Sequence, residues 1–141
     1  MMLLALGALS ALATAKEVKL EKPYSTVKLN SRYSFRYKVT KTEIFILLDV
    51  SVDGYAGLGF GDSMFSADIM VTQFNGTEPP RINDCTGIGE RPFRRPPCNL
   101  SSTYLTLVDY DTSNPKKKLV LFKRKLNTSD PIKRVLTAGS L

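Results

Sequence analysis

The chain contains no histidine, only two cysteines, and no apolar run long enough to cross a bilayer. Each absence excludes something. Without histidine the commonest general base is missing, and no nucleophile–base pairing stands at readable spacing. The sequence therefore predicts a non-catalytic protein. Two cysteines without histidine cannot build a zinc site of the usual kind. Cys85 and Cys98 fall together in a stretch rich in Pro, Gly and Arg. In an oxidising compartment such a pair reads as one disulfide closing a short loop, a staple of about 3 kcal/mol in the chain-entropy model. Helical periodicity and internal repeats are also missing, as is a regularly spaced Asp-rich loop for calcium.

The apolar run that does exist is N-terminal. Met1-Met2-Leu-Leu-Ala-Leu-Gly-Ala-Leu-Ser-Ala-Leu precedes Ala13-Thr14-Ala15, small residues of the kind a signal peptidase cuts after. No Lys or Arg precedes it, and it is well short of the roughly 20 residues of a spanning helix. The reading is a signal peptide over 1–15, a secreted or cell-surface protein, and one mature domain over 16–141 with no membrane span. Three N-glycosylation sequons agree with export, at Asn75, Asn99 and Asn127, each in a segment that reads as loop or strand end. A net charge of +7 is a mild basic bias rather than a nucleic-acid arm. Its densest points are Arg91, Arg94 and Arg95, then Lys116-Lys117-Lys118, then Lys123-Arg124-Lys125. The last two read as a hairpin turn and a strand's outward face, with an acidic glycan or anionic matrix as the alternative account.

Period-2 alternation carries the fold. Tyr33, Phe35, Tyr37 and Val39 share one face of a strand, and Ile44, Ile46, Leu48, Val50 and Val52 share one face of the next. Opposite them Phe45 and Leu47 give way to Asp49 and Ser51, which predicts burial on both faces first and one wet face afterwards. Asp53-Gly54 predicts a tight hairpin turn. From Tyr55 to Phe60 glycine alternates with larger residues. Gly57 and Gly59 on one face ask for either close approach of a strand, ligand or lid, or a bulge. Residues 67–74 form a further strand, with Ile69 and Val71 on one side and Met70 and Phe74 on the other, closed by Asn75-Gly76. A long stapled loop with a short strand near Arg81–Asn83 follows, then an antiparallel pair over 104–110 and 119–126. Val18 to Leu29 adds one or two edge strands, Pro23 arguing for an edge. The sum is an all-β antiparallel sandwich.

Within that pattern, Gly54-Tyr-Ala-Gly-Leu-Gly-Phe60, Ser63-Met64, Ala67-Asp68-Ile69-Met70-Val71, Asp84, and Phe122-Lys-Arg-Lys-Leu126 with Asp130 resemble a DOMON domain. This is the β-sandwich named after the N-terminal part of dopamine β-monooxygenase, and the resemblance spans roughly residues 33–135. The family includes haem-binding members, relatives of sugar-binding modules, and members without an established ligand. The resemblance implies a ligand site at the sandwich mouth with Tyr55, Phe60, Met64, Asp68 and Arg124 as candidate residues. In haem-binding relatives a Met at the position of Met64 is one axial ligand and a C-terminal His the other. With no His here, and with the final strand expected to lie beyond Leu141 or to be missing, Met64 reads first as a turn residue packing its thioether. It is a metal ligand only if haem b is bound. Arg124, on a mostly apolar strand face, predicts an ion pair with Asp68 or Asp130, or anchorage of a ligand carboxylate.

Three functions follow from these readings. The first is a secreted recognition domain holding a sugar or haem. The second is a structural glycoprotein that self-associates or pairs with other extracellular proteins, and the third is a truncated b-type cytochrome electron-transfer domain whose His was lost to the truncation. The domain's fold does not choose among them.

Overall fold

The computed structural model describes residues 17–60, 68–86, 98–99 and 104–127, and all regular structure among them is strand. The strands are β1 (Ser25–Asn30), β2 (Tyr33–Val39), β3 (Glu43–Val50), β4 (Tyr55–Phe60), β5 (Asp68–Gln73), β6 (Arg81–Thr86), β7 (Cys98–Asn99), β8 (Leu105–Asp111) and β9 (Lys118–Lys125). They form a five-stranded sheet in the order β1-β2-β3-β9-β8 and a four-stranded sheet in the order β4-β5-β6-β7. Every pairing is antiparallel. The all-β sandwich expected from the alternation is the fold. Met64, Asp130 and the Arg-rich segment between the cysteines lie outside the described residues.

The alternation explains the core. In the register of β3 with β9, Ile46 faces Phe122 and Leu48 faces Val120, and all four are buried. Ala56 and Met70 from the smaller sheet join the same cluster, with Tyr33, Phe35, Leu58, Phe60 and Phe74 packed around it. Each large apolar side chain so buried stabilises the fold by about 1.5–3 kcal/mol. The reverse face of β3 behaves as its sequence predicts. Leu47 is buried beside Leu121 under Val18 and Leu20, while Asp49 beyond it is only half-buried. Val18 and Leu20 belong to no strand; they lie across the outside of the larger sheet, and of the 18–29 segment only β1 adds an edge.

Two expectations are corrected. Asp53-Gly54 is a turn, with Gly54 at φ 81°, but it closes no hairpin. β3 pairs with β2 and β9 whereas β4 pairs with β5, so this corner carries the chain from one sheet to the other. The likeness between a corner and a hairpin is local: both need a left-handed residue, and only the long-range partners differ. Of the reasons offered for the glycines of β4, a bulge is ruled out. The β4–β5 register runs without a shift from Tyr55 to Phe60, and a Cβ at Gly57 would meet nothing within 4 Å. At Gly59 it would touch Ile69 at an ordinary 3.6 Å. The bulge lies instead in β8, between Leu107 and Asp109, where the shift turns Val108 outward and brings Tyr110 opposite Val120.

Cys85 and Cys98 are cross-strand partners joined as the expected disulfide, which ties β7 to β6. A second link runs between the sheets. The Tyr33 hydroxyl on β2 donates to the Gly57 carbonyl on β4 at 2.7 Å. Burial raises the Tyr33 pKa from 10.0 to about 12, because the phenolate would lose its solvation. The folded chain thus holds this proton more tightly than the unfolded one. The resulting stability is complete below about pH 10 and is lost as pH rises through about 12. A spectrophotometric titration is expected to show one tyrosine ionising near pH 12. Tyr33→Phe should remove that step and flatten the alkaline fall in stability; a wild-type titration with every tyrosine ionising near pH 10 would refute the assignment.

Candidate functional site

The two ends of the sandwich differ. At the first end, Phe60 and Asp68 are direct partners across β4 and β5, both facing inward. Arg124 reaches them from β9, where it stands between Ile44 and Leu105 in the larger sheet. Its Nη2 donates to Asp68 Oδ2, and its Nη1 donates to the Lys125 carbonyl at 2.7 Å. Both partners of the pair are 1% exposed at the side chain. Of the partners that the sequence suggested for Arg124, Asp68 is paired with it, and Asp130 lies outside the described residues. Isolated charges are very costly at such depth, so each makes the other tolerable. The pair joins the two sheets directly.

Of the remaining candidates, Tyr55 does not converge with this group. It lies at the opposite end of β4 on the outward face, 70% exposed. Met64 lies outside the described residues. Asn75 and Asn127 are exposed, and Asn99 sits in β7. Asp84 is also buried and faces inward opposite Met70. Among the described residues no three His, Cys, Asp or Glu side chains converge as a metal site. Among the described residues Met70 is sealed in the core and Asp68 is paired with Arg124, so neither side chain is open to a haem.

The second end is open. A cleft of about 370 Å³ lies between the Asp53-Gly54 corner, the turn from Phe74 to Thr77, and the connection through Thr112, Ser113 and Pro115 into β9. Left-handed glycines shape two of these walls, Gly54 at φ 81° and Gly76 at φ 57°. The Phe74 amide donates to the Gly54 carbonyl at 2.7 Å, which locks corner and turn together. Lys118 and Thr112, each 6% exposed, are the most buried polar residues of the cleft. The Lys118 ammonium donates to the Val52 carbonyl at 2.6 Å and to Asp53 Oδ1 at 3.3 Å, and stands 4.9 Å from the centre of the Phe74 ring.

The sequence reading missed this cleft, and it placed Lys118 in a solvated turn. Lys118 is instead the first residue of β9 and faces inward in phase with Val120, Phe122 and Arg124. That phase follows by counting in twos back from Arg124 through Phe122 and Val120. The meeting of Asn75-Gly76 with Asp53-Gly54 was not legible, because it depends on strand pairings distant in sequence.

The buried ion pair generates a test by chemical denaturation. Arg124→Met or Asp68→Leu alone is expected to cost about 3–5 kcal/mol, because either leaves an uncompensated buried charge. The double variant should recover most of that loss. Strictly additive losses would show that the two charges are not coupled.

A family model, the DOMON domain, matches residues 29–140. No curated protein and no solved structure matches the chain at a significant level. The match covers both sheets, the glycine-spaced β4, the Asp68-led β5 and the basic β9. The chain belongs to the DOMON domain family, whose domains are ligand-binding and of extracellular type.

Proposed function

We propose that this domain is a non-catalytic recognition module of an exported protein, and that its ligand is a small saccharide held in the cleft at the Lys118 end. The observation that carries the reading is the composition of that cleft. About 370 Å³ falls within the range of small-ligand sites, roughly 300–1,000 Å³. Its walls combine an aromatic ring (Phe74), hydroxyls (Thr77, Thr112, Ser113), an amide (Asn75) and one ammonium group. A sugar presents the matching chemistry, an apolar C–H face ringed by hydroxyls. This moves the ligand away from the mouth at Asp68, where the Asp68–Arg124 pair is sealed from solvent.

The non-catalytic character is supported by the titratable groups of the cleft. Among the described residues these are Asp53 and Lys118, which pair with each other and offer no nucleophile. Export is supported by the Cys85–Cys98 disulfide and by the exposed sequon asparagine at position 127. Haem is disfavoured by the missing imidazole and by the closed Asp68–Arg124 pair.

A glycan array probed with the full chain tests the reading, with Ser113→Trp as a cleft-filling variant at an exposed position. Binding by the wild type and a loss of about tenfold or more in Ser113→Trp, with the melting temperature unchanged, is the expected result. Phe60→Leu, at the other end, should bind as the wild type does. Loss in Phe60→Leu but not in Ser113→Trp would return the site to the Asp68 end. A Soret band in the purified protein would overturn the preference for sugar over haem.

A further inference from the structure

Resting on the saccharide reading of the cleft, we infer that the ligand is an acidic sugar, whose carboxylate or sulfate takes the place of Asp53 on Lys118. The inference comes from a mismatch in burial across one ion pair. The Lys118 side chain is 8% exposed and that of Asp53 is 99% exposed. An ammonium at that depth has lost nearly all its water, and the carboxylate that answers it stands in water, where its charge is screened. Of the three ammonium donors one is spent on the Val52 carbonyl, and the Phe74 ring lies against the group without accepting a full charge. Asp53 holds the remaining contact, at 3.3 Å.

A solvated aspartate on a corner loop is easily exchanged. Its side chain is free to rotate away, and its departure costs little because it is already hydrated. An incoming carboxylate or sulfate held by the cleft walls would answer Lys118 from a drier position, where the same charges attract more strongly.

The surroundings favour that exchange. Lys116, next to Pro115 on the cleft wall, is exposed and has no ionic partner among the described residues. The neighbouring carboxylates are engaged elsewhere: Asp111 accepts from the Ser113 hydroxyl at 2.6 Å, and Glu78 accepts from the Asn75 amide at 3.0 Å. A net charge of +7 steers anions toward the molecule. The ring of Phe74 beside Lys118 then offers a stacking surface next to the charge, an arrangement that suits an acidic group attached to a pyranose ring.

The test is a titration of the full chain with glucuronate, glucose and inorganic sulfate, followed by the backbone amide shifts of Gly76, Thr112 and Ser113. Glucuronate is expected to bind about tenfold or more tightly than glucose, with affinity falling as salt is raised. Sulfate should be weaker than glucuronate because it lacks the ring. The decisive variant is Asp53→Asn, which alters a fully solvated side chain and spares the fold. It should tighten glucuronate several-fold by removing the competing carboxylate, and raise the preference for glucuronate over glucose.

Equal binding of the two sugars, or weaker glucuronate binding in Asp53→Asn, would overturn the inference while leaving saccharide recognition standing. Sulfate binding as tightly as glucuronate would overturn it as well, reducing the cleft to an anion site. Shifts with none of the three probes, in wild type or variant, would count against the saccharide reading and the inference together.

Discussion

The inward face of β9 reads Lys118, Val120, Phe122, Arg124: a cation at each end of an apolar middle. The rest of the molecule is arranged around that constraint. The middle supplies the centre of the core, opposite Ile46 and Leu48. Both cations must be answered by oxygen atoms, because neither can return to water without pulling β9 out of the sheet. Arg124 is answered from the second sheet by Asp68, and Lys118 is answered from the inter-sheet corner by Val52 and Asp53. The same strand therefore fixes the separation of the two sheets at one end and the course of the connecting corner at the other.

The two answers differ in kind. Asp68 is as buried as its arginine, and the pair is closed to solvent. Breaking it would strand a charge in the interior, so this end behaves as structure. Asp53 is in water while its lysine is not, and the space beside it is open. The contrast gives one end the task of holding the sheets together and leaves the other open, although residue types alone would have suggested the reverse. Asp68 and Arg124 look like functional residues in a list because charges on an apolar face are rare. Their rarity here reflects the cost of sealing a sandwich.

The sequence revealed the parts of the fold governed by residue-to-residue alternation. The inward phases of β2 and β3, the double burial at Leu47, the β8–β9 pair and the inward face of Arg124 could all be read from period-2 patterns. Features that depend on which strand meets which were not legible. Asp53-Gly54 has the composition of a hairpin turn and serves as a corner, since turn chemistry specifies backbone handedness and not the destination of the chain. The cleft escaped notice because its three walls are each an ordinary turn, brought together only by the stacking of the sheets.

The strand order has a consequence for how the chain acquires its shape. β3 lies in the middle of its sheet, yet its second neighbour, β9, begins at Lys118, long after β3 ends at Val50. During vectorial synthesis the edge of Glu43–Val50 stays unpaired while roughly seventy further residues emerge, and pairings of such long range form slowly. Its sequence, rich in Ile and Leu, makes that edge a template for any passing extended chain. The nascent protein thus spends its most vulnerable interval with an incomplete sheet, and late arrival of a single strand converts an aggregation-prone ribbon into a closed fold.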